Sequence, residues 1–273
     1  MSARQIHAGT VDAFIERAME AQPLLDLGEL QYFDPCGAVA IACIGERIGL
    51  IPQSRLIWPK SSRTNTYMEW IGLSRILSRS FGVGAPLVGA ARYAGVIEGQ
   101  QTYGPGVFPL QRFDLNVPFQ ERWLATVVTG TLARPSVLRS VVWTSAIELA
   151  KNAYEHSRAA SVYVAALRQR GGSGEDDWLQ VAIGDTGVGI PATIGARYDS
   201  VVNDRHALAL AMTPGVSSTG IPGRGMGLAI VSNYTKSYMG MLTIRSGYGR
   251  FDIQGRQERP RLISGPPLTG TFI

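Results

Sequence analysis

The chain has 273 residues, of which 45% are hydrophobic, and its 26 basic and 21 acidic side chains give a formal net charge of +5. A chain of this length and apolar content can bury a core, which excludes intrinsic disorder as its default state. Glycine is unusually frequent, at 32 residues, but it forms no low-complexity tract. We therefore expect glycines at positions where the backbone turns sharply or approaches a ligand.

The cysteine content and the hydropathy favour a cytoplasmic protein that does not cross a membrane. Cys36 and Cys43 are the two cysteines, too few for a disulfide framework and outside any zinc-binding spacing. No apolar run reaches the roughly 18 residues that a membrane-spanning helix needs. Residues 1–10 do not show the charged-then-apolar pattern of a signal peptide.

A basic stretch near the C-terminus raises the question of nucleic-acid binding. No aromatic platform interleaves its arginines, and a solvated, turn-rich edge would show the same pattern. We therefore regard nucleic acid as a disfavoured partner. The five arginines are Arg245, Arg250, Arg256, Arg259 and Arg261.

The first third of the chain predicts a small β-α-β-α unit. Its patterns favour a strand over 24–33, a helix over 37–48, a strand over 55–59 and a helix over 64–77. Residues 82–106 are rich in glycine and contain two prolines, which predicts a connector. We place domain boundaries accordingly, with a first domain over 1–81, a connector over 82–113 and a second domain over 114–273.

The second domain predicts an α/β sandwich with helices on one face of a mixed, mostly antiparallel sheet. A start signal at Pro135 and Ser136 begins a long helix that ends at His156. A glycine-rich segment over 184–227 is typical of a mobile loop. The other expected elements are strands over 161–167 and 178–183 around a polar hairpin at 170–177, a helix over 228–239, and strands over 241–246, 249–254 and 269–273.

The long helix carries a polar stripe. Glu148, Asn152 and His156 recur at i, i+4 and i+8, so they share one face. Three polar groups on an otherwise apolar helix are costly unless they meet a ligand, a metal or water. The alternative is the solvent face of an ordinary surface helix.

Two glycine-rich segments follow. Asp185 lies at a strand end, where its carboxylate can accept a hydrogen bond from an exocyclic amine, and Gly187 and Gly189 would let a flat ring approach the backbone. Taken alone, this segment is also typical of a plain turn. The second segment opens a helix, where free backbone N–H groups favour phosphate. It runs through Gly223, Arg224, Gly225, Met226, Gly227 and Leu228.

In this order the three segments resemble the asparagine box and the two glycine boxes of the GHKL ATPase superfamily. Histidine kinases, anti-sigma-factor serine kinases, gyrase-type topoisomerases, Hsp90 and MutL belong to that superfamily. The resemblance covers roughly residues 114–273 and extends to Gly270 and Thr271, which are similar to the family's final Gly-Thr strand. It implies the Bergerat fold and a site for ATP and Mg²⁺.

The resemblance implies a role for each matching residue. Asn152 would hold Mg²⁺ through its side-chain oxygen, and Glu148 would be the general base. Asp185 would accept a hydrogen bond from the adenine amine, supported by Thr271. The other residues implied to bind nucleotide are His156, Gly187, Gly189, Ile190, Gly223, Arg224, Gly225, Met226, Gly227 and Leu228, with a lid over about 191–222.

The identity of residue 148 favours one branch of the superfamily. Histidine kinases usually carry asparagine at this position, whereas GHKL ATPases and anti-sigma-factor kinases carry glutamate. None of the three histidines lies in a sensor-kinase dimerisation helix. We therefore expect a bacterial-type serine/threonine kinase that acts on a partner protein. The alternative is an ATP-gated interaction switch or a slow ATPase.

Residues 25–38 are similar to the core of STAS domains of the anti-sigma-factor-antagonist type. In those domains a strand ends in Asp-Ser-Ser-Gly, and the second serine is phosphorylated by a partner kinase. Here Cys36 occupies the acceptor position. The resemblance implies a docking or dimerisation module with a STAS-type or sigma-factor-like protein partner, and a homodimer is compatible with it. An unrelated small α/β module is the alternative.

Overall fold

The computed structural model describes residues 4–84, 107–114, 136–156, 161–169, 178–219, 221 and 224–273. The chain divides into two compact units, Met1–Arg112 with Val164–Ala182, and Phe113–Tyr163 with Ile183–Ile273. Most of the expected connector, residues 85–106, and the expected hairpin, residues 170–177, lie outside the described residues. The domain boundaries expected from the sequence remain predictions.

The first unit contains two small parallel sheets, one pairing β1 with β3 and the other pairing β2 with β4. Its first four elements are β1 (Gln5–Ile6), α1 (Val11–Glu20), β2 (Leu24–Asp26) and β3 (Tyr32–Phe33). They are followed by α2 (Pro35–Gly49), β4 (Arg55–Ile57), α3 (Ser62–Trp70) and α4 (Leu73–Phe81), and β5 (Val107–Asp114) begins in this unit. The predicted helix over 37–48 and strand over 55–59 are thus confirmed, while β1 and α1 were not predicted.

Two predicted elements of the first unit are wrong because each is interrupted. The expected strand over 24–33 turns after β2, where the Gly28 N–H donates to the Asp26 side chain at 2.8 Å and the Leu30 N–H donates to the Leu27 carbonyl at 2.9 Å. The expected helix over 64–77 breaks at Gly72, whose φ of +88° cannot continue a right-handed helix.

Helix α2 forms the centre of this unit. Its small side chains let neighbouring elements approach closely, and almost the whole helix is buried. Asp34 caps it by accepting a hydrogen bond from the Gly37 N–H at 2.8 Å. Cys36, at the start of α2, is 7% exposed.

The remaining strands form a larger sheet together with β5. They are β6 (Ser161–Gln169), β7 (Trp178–Asp185), β8 (Met241–Gly247), β9 (Gly249–Gln254), β10 (Gln257–Leu262) and β11 (Leu268–Phe272). The strand order is β10-β9-β8-β11-β7-β6-β5. The four pairs from β10 to β7 are all antiparallel. This mixed α/β architecture with a large antiparallel sheet confirms the predicted fold class.

Among the described residues, four helices belong to the second unit. They are α5 (Ser136–His156), α6 (Gly189–Gly195), α7 (Asp204–Ala211) and α8 (Gly227–Ser237). The long helix has the predicted bounds. By contrast, the segment expected to be a mobile loop contains α6 and α7, and the Asn203 side chain caps α7 by accepting from the His206 N–H at 2.9 Å. Within the described ranges, no helix is long and apolar enough to cross a membrane.

The basic stretch divides into buried and exposed arginines. Arg245 is almost fully buried and donates to the carbonyls of Gly247 and Gly249. Arg250 is also buried, with its Nε 2.9 Å from the Asp252 carboxylate. The other three arginines of the stretch lie on or next to the exposed strand β10. Because two of the five guanidinium groups are buried and bonded to groups within the fold, the stretch is not a continuous basic arm.

Candidate functional site

A cavity of about 260 Å³ lies within the second unit, near the lower end of the ~300–1,000 Å³ range of small-molecule sites. Its walls come from α5, the end of β7, α6, the loop at 216–218 and the start of α8. The structure brings most of the sequence-predicted site residues to this one cavity. They are Glu148, Asn152, Asp185, Gly189, Ile190, Arg224, Gly225, Met226, Gly227, Leu228 and Thr271.

The other three predicted residues are not among those that line the cavity. Gly187 is adjacent, because its N–H donates to the Asp185 carboxylate at 2.8 Å. Gly223 and the side chain of His156 lie outside the described residues.

Asp185 lines one part of the cavity wall, which we call the base end. It closes β7 and is 5% exposed. Burial raises the pKa of its carboxyl to about 6, while hydrogen bonds from the backbone N–H groups of Gly187 and Thr271 oppose that rise. The group is therefore a buried acceptor, charged at neutral pH and protonated in mild acid.

Gly270 and Ser246 hold the backbone around Asp185. Gly270 has a φ of +93°, and a Cβ there would collide with the Asp185 carbonyl. The Ser246 hydroxyl donates to the Gly270 carbonyl at 2.6 Å and accepts from the Ile190 N–H at 3.0 Å. Ser246 therefore connects β8, β11 and α6 behind the base end.

A second part of the wall, which we call the phosphate end, lies where α5 meets the start of α8. A Cβ on Gly227 would be 2.6 Å from Oε2 of Glu148, so a larger residue there would displace the Glu148 carboxylate. The Met226 side chain makes no capping hydrogen bond to α8. The residue before this 11-residue helix thus supplies no side-chain cap, and the N–H groups of its first turn favour an anion.

Asn152 has an amide group that points to a ligand. Its Nδ2 atom is buried and has no hydrogen-bond partner among the residues that the structure describes, which is rare and costly for a buried polar atom. The oxygen and nitrogen of an asparagine amide are assigned rather than observed, so either can face the cavity. A side-chain oxygen at this position fits Mg²⁺ shared with phosphate groups.

Two cations at the phosphate end are paired with carboxylates of α5. Nζ of Lys151 lies 3.5 Å from Oε1 of Glu148. Nη1 of Arg224 lies 2.7 Å and 2.9 Å from the two carboxylate oxygens of Glu155. The sequence analysis missed Lys151 and Glu155, although their spacings of i+3 and i+7 from Glu148 could have placed them on the same helix face.

The loop that ends at α8 is fixed by its own backbone. The Gly215 N–H donates to the Gly225 carbonyl at 3.0 Å. Gly225 has a φ of +89°, and a Cβ there would collide with the Val216 carbonyl. The Tyr198 hydroxyl donates to the Ser217 carbonyl at 3.2 Å. These contacts hold the wall of the cavity between residues 215 and 225.

Comparison with known proteins gives one match. Residues 143–258 match the family described as Histidine kinase-, DNA gyrase B-, and HSP90-like ATPase, HATPase_c. No curated protein and no solved structure matches the chain. The matched range includes both ends of the cavity, from Glu148 and Asn152 through Asp185 to the start of α8, and such a domain is expected to bind ATP. The chain therefore carries a GHKL-type ATPase domain over residues 143–258.

Proposed function

We propose that this domain binds Mg·ATP and transfers its γ-phosphoryl group to a serine or threonine of a partner protein, in the manner of anti-sigma-factor kinases. The observation that carries the proposal is that Asp185, from the end of β7, lines the same cavity as Glu148 and Asn152, from α5. ATP is an elongated molecule with an amine-bearing base at one end and a polyanion at the other.

The base end suits adenine. The Asp185 carboxylate accepts hydrogen bonds only, and adenine offers the N6 amine as a donor. Guanine has a carbonyl oxygen at the corresponding position, which would face the carboxylate with no proton between them. Because a buried polar group left unpaired is costly, this contact favours adenine over guanine.

The phosphate end suits a triphosphate. The uncapped first turn of α8 can donate backbone N–H groups to phosphate oxygens. Asn152 would hold Mg²⁺ through its side-chain oxygen. When bound, Mg²⁺ neutralises charge that develops on the phosphate oxygens during transfer.

In the proposed reaction Glu148 acts as the base. Its carboxylate touches the start of α8 and lines the cavity. In the proposed reaction the acceptor hydroxyl oxygen forms a bond to the γ-phosphorus while the bond from that phosphorus to the β–γ bridging oxygen breaks. The hydroxyl proton passes to Glu148, and ADP leaves with the bridging oxygen.

A second function, a slow ATPase or an ATP-gated interaction switch, is favoured by one contact. Lys151 is ion-paired with Glu148, so the ammonium group competes with any hydroxyl for the carboxylate. If the pair persists when ATP is bound, transfer is slow and the bound nucleotide acts mainly through the conformation of the protein.

Incubating the full chain with γ-³²P-labelled ATP, Mg²⁺ and cell lysate separates these functions. Acid-stable label on a protein supports the kinase, free phosphate alone supports an ATPase, and binding without either supports the switch. Failure of the purified protein to bind ATP would overturn all three. Glu148→Gln is the matched control: it keeps the shape of the side chain and should bind ATP while losing both transfer and hydrolysis.

For the first unit we propose a docking role toward a STAS-type or sigma-factor-like regulator, or toward a second copy of the chain. Cys36 supports docking rather than phosphate acceptance, since it is buried and bears a thiol where the resemblance places a serine. Light scattering of the full chain, alone and with a STAS-domain regulator, tests this role. A monomer that binds no such regulator would contradict it.

A further inference from the structure

An ion pair at the phosphate end links α5 to the loop that precedes α8. Nη1 of Arg224 contacts both carboxylate oxygens of Glu155. Arg224 precedes the first residue of α8 by three positions, and Glu155 lies near the end of α5. Both residues line the same cavity as Asn152 and Gly227. The guanidinium group is therefore held by a carboxylate at the place where the proposed function puts phosphates.

We propose that Arg224 exchanges partners when ATP binds: its guanidinium group releases the Glu155 carboxylate and binds the γ-phosphate. This exchange lets the site distinguish ATP from ADP. The inference rests on the proposed function and identifies the residue that reads the terminal phosphate. Glu155 acts as a competitor that holds the arginine while no γ-phosphate is present.

The exposure of the pair makes the exchange favourable. The side chains of Arg224 and Glu155 are 46% and 30% exposed, and an ion pair with that much water contact is weak. The pair uses one guanidinium nitrogen, Nη1, whereas the planar fork can offer two parallel N–H bonds to a phosphate. A γ-phosphate therefore offers Arg224 a better partner than Glu155 does.

The backbone near Arg224 is held in place, so the exchange is a side-chain movement. The Arg224 N–H donates to the Ile221 carbonyl at 3.2 Å, and the carbonyl of Gly225 accepts from the Gly215 N–H at 3.0 Å. Gly225 also packs against the Val216 carbonyl with no room for a Cβ. Rotation about side-chain bonds of Arg224 is enough to change its partner without moving this loop.

The test measures the affinities of the full chain for Mg·ATP and Mg·ADP by calorimetry. In Glu155→Gln the competing charge is gone, so we expect ATP to bind about threefold to tenfold more tightly and ADP to bind as before. In Arg224→Gln we expect ATP affinity to fall about tenfold, toward that of ADP, with little change for ADP. Lys60→Gln is the matched control, because it breaks an exposed ion pair with Glu29 far along the chain from the cavity and should leave both affinities unchanged.

Two results would overturn the exchange. If Glu155→Gln weakens ATP binding as Arg224→Gln does, the ion pair has a structural role and Glu155 is not a competitor of the γ-phosphate. If both variants change ATP and ADP affinities equally, Arg224 does not read the terminal phosphate. If the unaltered protein binds neither nucleotide, both the proposed function and the exchange are wrong. If the unaltered protein binds ATP but the variants give either result above, the exchange alone is wrong. Thermal unfolding of each variant verifies that it is folded.

Discussion

The two ends of the cavity hold their carboxylates in different surroundings. At the base end, Asp185 is buried and accepts hydrogen bonds from backbone N–H groups. At the phosphate end, Glu148 and Glu155 are partly exposed and paired with the side chains of Lys151 and Arg224. Backbone packing fixes the first arrangement, while side-chain rotation can change the second. The fixed base end suits adenine, which is the same in ATP and ADP. The adjustable phosphate end suits the phosphate groups, which differ between the two nucleotides.

Gly270→Ala should break the base end with the largest effect. The new Cβ would collide with the Asp185 carbonyl, at a φ of +93°, so we expect the free energy of unfolding to fall by about 3 kcal/mol or more and ATP binding to be lost. Urea unfolding and calorimetry measure the two effects.

Gly215→Ala is the control for Gly270→Ala. It has a φ of +82°, but no atom of the described residues lies within 4 Å of the added Cβ, so only backbone strain of about 1 kcal/mol is expected. Equal losses of stability in both variants would show that the close approach to Asp185 has no importance.

Asp185→Asn should separate binding from stability at the base end. The amide loses the charged acceptor for the adenine amine, so we expect ATP affinity to fall about 10- to 100-fold. The same change removes a buried charge, so the nucleotide-free protein should become more stable at pH 7.5. Calorimetry with ATP and urea unfolding without it measure the two effects, and a variant that loses both affinity and stability contradicts the assignment.

The pH dependence of stability should follow the pKa of Asp185. Its folded pKa of about 6 lies above an unfolded value of about 3.9, so the folded state binds more protons between these two values. Asp185 therefore contributes about 3 kcal/mol to the free energy of unfolding below about pH 4, and this contribution is lost as the pH rises through about 6.

Urea unfolding of the unaltered protein and of Asp185→Asn from pH 4 to pH 7.5 tests this dependence. The stability advantage of the variant should be largest above pH 6 and should shrink toward pH 4. An advantage that does not change with pH would mean that Asp185 does not titrate in this range.

Lys151→Ala gives the smallest expected effect and tests the phosphate end. The Lys151 side chain is 42% exposed and its ion pair with Glu148 is long, so the free energy of unfolding should change by less than about 0.5 kcal/mol. A loss of stability as large as that of Gly270→Ala would show that side-chain pairs at this end are as fixed as the backbone at the other.

The sequence predicted the parts of the site that depend on backbone geometry. A close approach of chain to ligand requires glycine, so Gly187, Gly225 and Gly227 leave a motif that can be read without a structure. Ser246 leaves none, and Glu155 leaves only its spacing of i+7 from Glu148. Ser246 supports the base end through contacts with residues far away in the sequence, and nothing in its neighbours indicates that role.

Whether an element of the fold could be predicted also depends on whether its own residues carry a pattern. Helix α5 and strand β9 follow from periodicity, and the structure gives them the predicted bounds. Strand β10 was missed because all six of its residues are exposed and it contains a proline and charged residues. Helix α1 did carry a signal, since Val11, Phe14, Ile15 and Ala18 have helical spacing and are buried.

The most direct test of the central claim compares ATP with adenosine, in the presence of Mg²⁺, for the unaltered protein, Asp185→Asn and Asn152→Ala. If Asp185 binds the base and Asn152 serves the phosphates through Mg²⁺, Asp185→Asn will weaken the binding of both ligands. Asn152→Ala will weaken ATP binding about tenfold or more and leave adenosine binding unchanged. An Asn152→Ala variant that binds ATP as tightly as the unaltered protein would contradict the claim.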